Sequence, residues 1–101
     1  MNSFLEKTVG QRIVAIEPAN DYVQIHLADT TILTVFNPNR SGPPLNQFVG
    51  CKIERVACRP DEVFFFLAGG GGFAVSLAEE DYRGPEAMSY IGPGGDRAVW
   101  S

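Results

Sequence analysis

The stretch from Val9 to Asn37 recurs from Val49 to Leu77, offset by 40 residues and without a gap. Val9-Gly10 returns as Val49-Gly50. Ile13 and Ile16 return as Ile53 and Val56. Asp21, Val23, Ile25, Leu27 and Ala28 return as Asp61, Val63, Phe65, Leu67 and Ala68, and Leu33 and Val35 return as Phe73 and Val75. Apolar spacing and turn residues repeat, while no reactive side chain does. A chain of this kind places one supersecondary unit twice and buries both apolar faces together.

Each unit reads as three strands. Gln11–Glu17 opens the first, with Ile13 and Ile16 three apart instead of two. Ile53 and Val56 repeat that odd spacing, which predicts a bulge. Tyr22–Leu27 alternates: Val23, Ile25 and Leu27 point one way, and Tyr22, Gln24 and His26 the other. Asp29-Thr30 makes a hairpin turn into Ile32–Phe36, with Leu33 and Val35 inward. Residues 37–47, rich in proline, read as the loop between copies. The second copy runs Cys51–Ala57, Glu62–Leu67 and Gly72–Leu77. Residues 2–8 predict a short helical turn.

The expected fold is therefore all-β: two tandem three-stranded units, about six strands, packed as a small barrel or sandwich with approximate two-fold pseudosymmetry. The predicted core is Val23, Ile25, Leu27, Leu33, Val35, Val63, Phe65, Leu67, Phe73 and Val75. Length admits one domain over residues 1–101, with repeats at 9–37 and 49–77 and a tail at 78–101. In the tail, Ser76 and Glu79 have capping-box spacing and acids follow, which predicts a short helical turn from about Ala78 to Tyr82. Ala98–Trp100 reads as a last short strand or an anchored end.

Composition narrows the function. Hydrophobic residues make up 45% and charged residues 20%, a globular balance. The net charge is −4 and no basic stripe is visible, so no nucleic-acid partner is expected. No apolar stretch approaches the ~20 residues needed to span a bilayer, and Met1–Lys7 has no basic region followed by an apolar run, so no signal peptide is expected. A cytoplasmic protein is expected. Cys51 and Cys58, if both on one strand, lie about 23 Å apart at ~3.3 Å per residue, too far to bond. Both read as free thiols, which suits a reducing compartment. Two cysteines and one histidine cannot close a zinc site from nitrogen and sulfur alone.

Other candidate sites are thin. Gly69–Gly72 lacks the Gly-Lys-Ser/Thr of a phosphate loop and leads into a strand pattern, so it reads as a hairpin turn. His26, the only histidine, has no paired nucleophile in the sequence. Glu79, Glu80, Asp81 and Glu86 form the one acidic cluster, and their spacing matches no EF-hand loop. No catalytic, metal or cofactor site is expected.

The informative departure is in the second copy. Where the first has Gln24 and His26, the second has Phe64 and Phe66, so Val63–Leu67 is apolar on both faces. Such a strand is expected to be covered on both sides. The tail, with Tyr82, Met88, Tyr90, Ile91 and Trp100, is one candidate cover and a second subunit is the other.

Val49-Gly50 with Ile53 and Val56, then Ser76-Leu77, then Glu80-Asp81-Tyr82-Arg83-Gly84-Pro85-Glu86-Ala87 resembles a group of small uncharacterised bacterial proteins with a Gly-Pro-Glu-Ala stretch after the last hairpin. The resemblance implies a bacterial all-β domain and transfers no activity. Physically, Gly84-Pro85-Glu86-Ala87 reads as a corner that turns the tail back across the sheet.

Three functions are expected in order. The first is a non-enzymatic interaction or accessory module, with a homodimer formed over the Phe64 and Phe66 face. The second is a small-molecule-binding barrel with a pocket near Phe64, Phe66, Tyr82 and Trp100. The third is an enzyme using Glu79, Asp81, Glu86 or His26. Candidate interface or pocket residues are Phe64, Phe66, Tyr82, Trp100 and His26.

Overall fold

A computed structural model describes residues 3–19, 21–41 and 44–100. It has nine strands in two sheets, so the all-β expectation holds and the packing is a sandwich, not a closed barrel. The strands are β1 (Ile13–Pro18), β2 (Val23–Leu27), β3 (Ile32–Val35), β4 (Asn39–Ser41), β5 (Ile53–Cys58), β6 (Glu62–Leu67), β7 (Gly72–Ser76), β8 (Met88–Ile91) and β9 (Arg97–Trp100). A helical turn, α1 (Ser3–Glu6), precedes them. Single 3-10 turns lie at Leu45–Phe48 and Glu79–Asp81. The first sheet runs β1-β2-β3-β8-β9 and the second β4-β7-β6-β5.

The repeat reappears as ladder register. Ile13 faces Leu27 and Ala15 faces His26; 40 residues on, Ile53 faces Leu67 and Arg55 faces Phe66. The register slips at the same place in both, between Ile13 and Ala15 and between Ile53 and Arg55. This is the bulge that the three-residue spacing requires: one extra residue lets Ile13 and Ile16, and Ile53 and Val56, turn toward the interior. Ile13 and Ile53 are fully buried.

The two units meet at the starts of β1 and β5. Gly10 N–H donates to Ile53 O and Gly50 N–H to Ile13 O, each at 2.7 Å. Between them Arg12 bridges Lys52. Thr8-Val9-Gly10-Gln11 and Phe48-Val49-Gly50-Cys51 are tight turns, each closed by a 3.0 Å bond from the fourth N–H to the first carbonyl. Gly10 and Gly50 hold φ of 89° and 94°, which a type II turn demands at its third position. The repeated Val-Gly pair is thus turn chemistry. Gly10→Ala and Gly50→Ala are each expected to cost about 1–2 kcal/mol, from the left-handed strain alone. Nothing stands within 4 Å of either added Cβ, so denaturant melts should show two similar losses.

Three strands go beyond the six expected. After β3 the chain crosses and adds β4 to the second unit's sheet, beside β7. After β7 it crosses back and adds β8 to the first unit's sheet, beside β3. Each unit therefore donates its fourth strand to the other. Ser76 N–H donates to Pro38 O at 3.1 Å, and Phe36 N–H to Ala87 O at 2.9 Å, so Pro38 and Ala87 hold equivalent places. The first crossing takes residues 36–38. The second takes 77–87, so the extra stretch around Gly84-Pro85-Glu86 is an addition to one side only. The loop expected at 37–47 thus contains a strand and a 3-10 turn instead.

The predicted core residues line the space between the sheets, with Val23 half-buried at its margin. Leu5, Phe48, Met88 and Tyr90 complete it. Phe65 and Phe73 stack at 4.7 Å between ring centroids. The capping-box expectation needs correction. Ser76 Oγ accepts from Ala78 N–H at 3.1 Å and donates to Asp81, not Glu79, at 2.6 Å. Cys51 and Cys58 are free. No helix among the described residues is long and apolar enough to cross a membrane.

Candidate functional site

The outer face of the second sheet is built from β6 outward. Alternation along β6 buries Val63, Phe65 and Leu67 and leaves Glu62, Phe64 and Phe66 on the other side, half-buried. Across the ladders, Phe64 lies between Ala57 and Ala74, and Phe66 between Arg55 and Gly72. The two rings touch, with centroids 4.5 Å apart and planes at 46°.

Small residues in β7 make room beneath them. A Cβ on Gly72 would fall 2.9 Å from the Phe64 ring and 2.1 Å from Phe65 O. Ala74 is buried under the same rings. Above Phe66 stands the Arg55 guanidinium, 4.0 Å from the ring centroid, a cation–π stack. At the far end of β6, Glu62 is held by Arg40 at 2.6 Å and by Arg59 at 3.7 Å. Asp61 and Asp81 line the same hollow as Arg40 and Glu62, so the face has an aromatic centre and a rim of mixed charge.

The expected cover is corrected here. The tail does not fold over Phe64 and Phe66; its strands β8 and β9 join the first sheet. The backbone bonds from Phe36 and Asn37 to Ala87 O direct it there. Nor does the strand require a full second layer, since Gly72, Ala74 and Arg55 take up much of the ring surface.

The five candidate residues do not converge. Phe64 and Phe66 are neighbours. His26 occupies the position matching Phe66, but on the outer face of the other sheet. Tyr82 follows the second 3-10 turn and lines a shallow hollow of about 370 Å³ with Leu77, Glu79, Gly84 and Pro85. Trp100 ends β9 and packs against the core margin. No aromatic pocket joins them.

The acidic candidates also separate. Glu79 lines Tyr82's hollow, Asp81 lines one of about 340 Å³ with Arg40, Asp61 and Glu62, and Glu86 lines one of about 470 Å³ with Asp21, Phe36, Arg83, Gly84 and Pro85. The first and last of these hollows share Gly84 and Pro85, in the stretch added to the second crossing, a feature invisible in the sequence because the repeat ends before it. His26 Nε2 lies 2.9 Å from Glu17 Oε1, a diagonal pair across β1 and β2, but the contact lacks hydrogen-bond alignment. Asn37 is buried; its amide donates to Ser76 O at 2.8 Å while its Oδ1 finds no partner. Among the described residues, no three His, Cys, Asp or Glu side chains gather as a metal site.

Comparison with protein-family models, with curated proteins and with solved structures finds no match to this chain.

Proposed function

We propose that the chain is a non-enzymatic protein-interaction module of the cytoplasm that docks through the outer face of its second sheet. One observation carries this reading. Two copies of one unit share register residue for residue, yet the outward positions hold Gln24 and His26 in one and Phe64 and Phe66 in the other. The scaffold does not need aromatics there, because the first copy folds without them. Phenylalanine at the centre and charged residues of both signs at the rim is the composition of a docking surface. The free thiols of Cys51 and Cys58 suit a reducing compartment.

The test is the double substitution Phe64→Gln with Phe66→His, which installs the first copy's residues. It should leave the fold in place and abolish binding to the partner. Retained binding by a folded double variant would end the proposal.

A homodimer is the second reading, and a separate feature favours it. Strand β9 is a sheet edge, and its outward Val99, 52% exposed, is the most exposed large apolar side chain among the described residues. Free edges pair with other chains. Sedimentation equilibrium should then give twice 11.0 kDa for the wild type and the monomer mass for Val99→Lys. A wild type that sediments as a monomer removes this reading.

A further inference from the structure

We infer that a groove on the first sheet, centred on Phe36, binds a small zwitterion. The ligand's ammonium group lies against the rings of Tyr22 and Phe36, and its carboxylate meets Arg83. Three hollows share the Phe36 side chain. One of about 230 Å³ is lined by Asp21, Tyr22 and Arg83 as well. One of about 470 Å³ keeps Asp21 and Arg83 and adds Glu86. The third, of about 300 Å³, runs on from Phe36 and Glu86 to Arg97 and Val99. Small ligands occupy clefts of roughly 300–1,000 Å³ with an apolar body and a few placed polar groups.

The repeat supplies the control. Forty residues on from Tyr22 and Phe36 stand Glu62 and Ser76, which face each other across the second hairpin. That hairpin closes without aromatics, so the fold does not demand them. In the first copy two rings stand there instead, with centroids 5.9 Å apart and planes at 59°. Tyr22 is 39% exposed. A cation placed on exposed ring faces is held by their negative quadrupole. Asp21 returns as Asp61, so the acid belongs to the shared turn and the rings are what the first copy adds. Buried Asn37 lines the smallest hollow too, and its Oδ1 has no donor.

The charges choose between ligands. Asp21 and Glu86 line the groove, and so do Arg83 and Arg97. Among the described residues none of these four is ion-paired. The signs balance, so neither a simple cation nor a simple anion is the complement of the groove. A molecule that carries both signs is. Asp21 and Arg83 line the same two hollows, so both ligand charges are answered within one site. A guanidinium group donates two parallel bonds to a carboxylate.

The experiment uses the full chain, nitrogen-labelled, and follows its backbone amide shifts during titration with four probes. Two are trimethylammonio carboxylates with a shorter and a longer spacer. Tetramethylammonium supplies the cation alone. The fourth, tert-butylacetate, keeps the shape and carboxylate of the shorter zwitterion but has carbon in place of the charged nitrogen. At least one zwitterion should give saturating shifts at Asp21, Tyr22, Phe36 and Arg83, and should bind roughly threefold or more tightly than the other two probes. Tyr22→Leu with Phe36→Leu keeps apolar bulk and removes the π faces, which should weaken that binding roughly threefold or more. Phe36→Leu alone takes its place if the double variant does not fold, which the amide spectrum shows directly. Arg83→Gln should weaken the zwitterion roughly three- to tenfold and leave tetramethylammonium unchanged.

Equal binding of tert-butylacetate would make the groove a plain apolar hollow. Equal binding of tetramethylammonium, or indifference of the zwitterion to Arg83→Gln, would make it a cation site. Either result overturns the inference, as does the absence of saturating shifts in the groove with every probe. Phe64→Gln with Phe66→His, on the other sheet, should bind the zwitterion as the wild type does. Loss of binding in that folded variant would also overturn the assignment.

Discussion

Gly72→Ala is expected to destabilise the protein by about 3 kcal/mol or more, which is exceptional for the addition of one methyl group. The added Cβ would lie 2.1 Å from Phe65 O and 2.9 Å from the Phe64 ring. The first obstacle is backbone on the paired strand, so a side-chain adjustment cannot clear it. Either β7 moves away from β6 or the ladder between Phe66 and Gly72 opens. The matching position in the first copy is Ile32, which accepts a branched side chain without difficulty. Ile32→Ala should therefore cost far less, roughly the 1–2 kcal/mol of a half-buried aliphatic. Urea melts of the two variants compare one fold position in two settings. Equal costs would mean that β7 does not approach β6 as closely as described.

Phe65→Ala should cost about 3–5 kcal/mol, as for a large aromatic removed from a packed interior. Phe65 is fully buried and stacked on Phe73. A domain of this size has roughly 5–15 kcal/mol in total, so the variant stands close to unfolding at body temperature. Its neighbours give the contrast. Phe64→Ala and Phe66→Ala remove half-buried rings from the outer face and should cost about 1–2 kcal/mol each. The same strand then alternates small, large, small. If Phe64→Ala is as damaging as Phe65→Ala in a monomeric preparation, the outer face is buried within the subunit and is not free to dock.

Much of this fold was legible because local pattern and global structure agree. The odd spacing of Ile13 and Ile16, repeated at Ile53 and Val56, predicted a bulge that both ladders contain. Alternation placed Phe65 inside and Phe64 outside. The exchange of fourth strands was not legible. Asn39-Arg40-Ser41 is short, polar and close to prolines, and it is a strand only because β7 offers an open edge. Met88 and Tyr90 do alternate with Ser89 and Ile91, a period that marks a half-buried strand. The glycines and prolines on either side masked it. Without β8 in place, the tail's aromatics read as a cover for Phe64 and Phe66, when they belong to the opposite sheet.

The site was half legible. The substitution of Phe64 and Phe66 for Gln24 and His26 was plain in the aligned repeat. The rim was only partly legible, because Arg55 and Arg59 belong to β5 and the residue after it, while Arg40 comes from β4 and only strand register brings it to them. Along the sequence, Glu54, Asp61 and Glu62 appear to cancel them. In the folded sheet, Glu62 pairs with Arg40 and Arg59, and Asp61 and Asp81 line the same hollow as Arg40.

The most direct test of the docking face is a quantitative pull-down from the native host with wild type and the Phe64→Gln, Phe66→His variant side by side. Both must first melt above the assay temperature. The face described here predicts a stoichiometric protein recovered by the wild type and lost by the double variant, with Val99→Lys retaining it. Recovery of the same protein at the same yield by the double variant would contradict it.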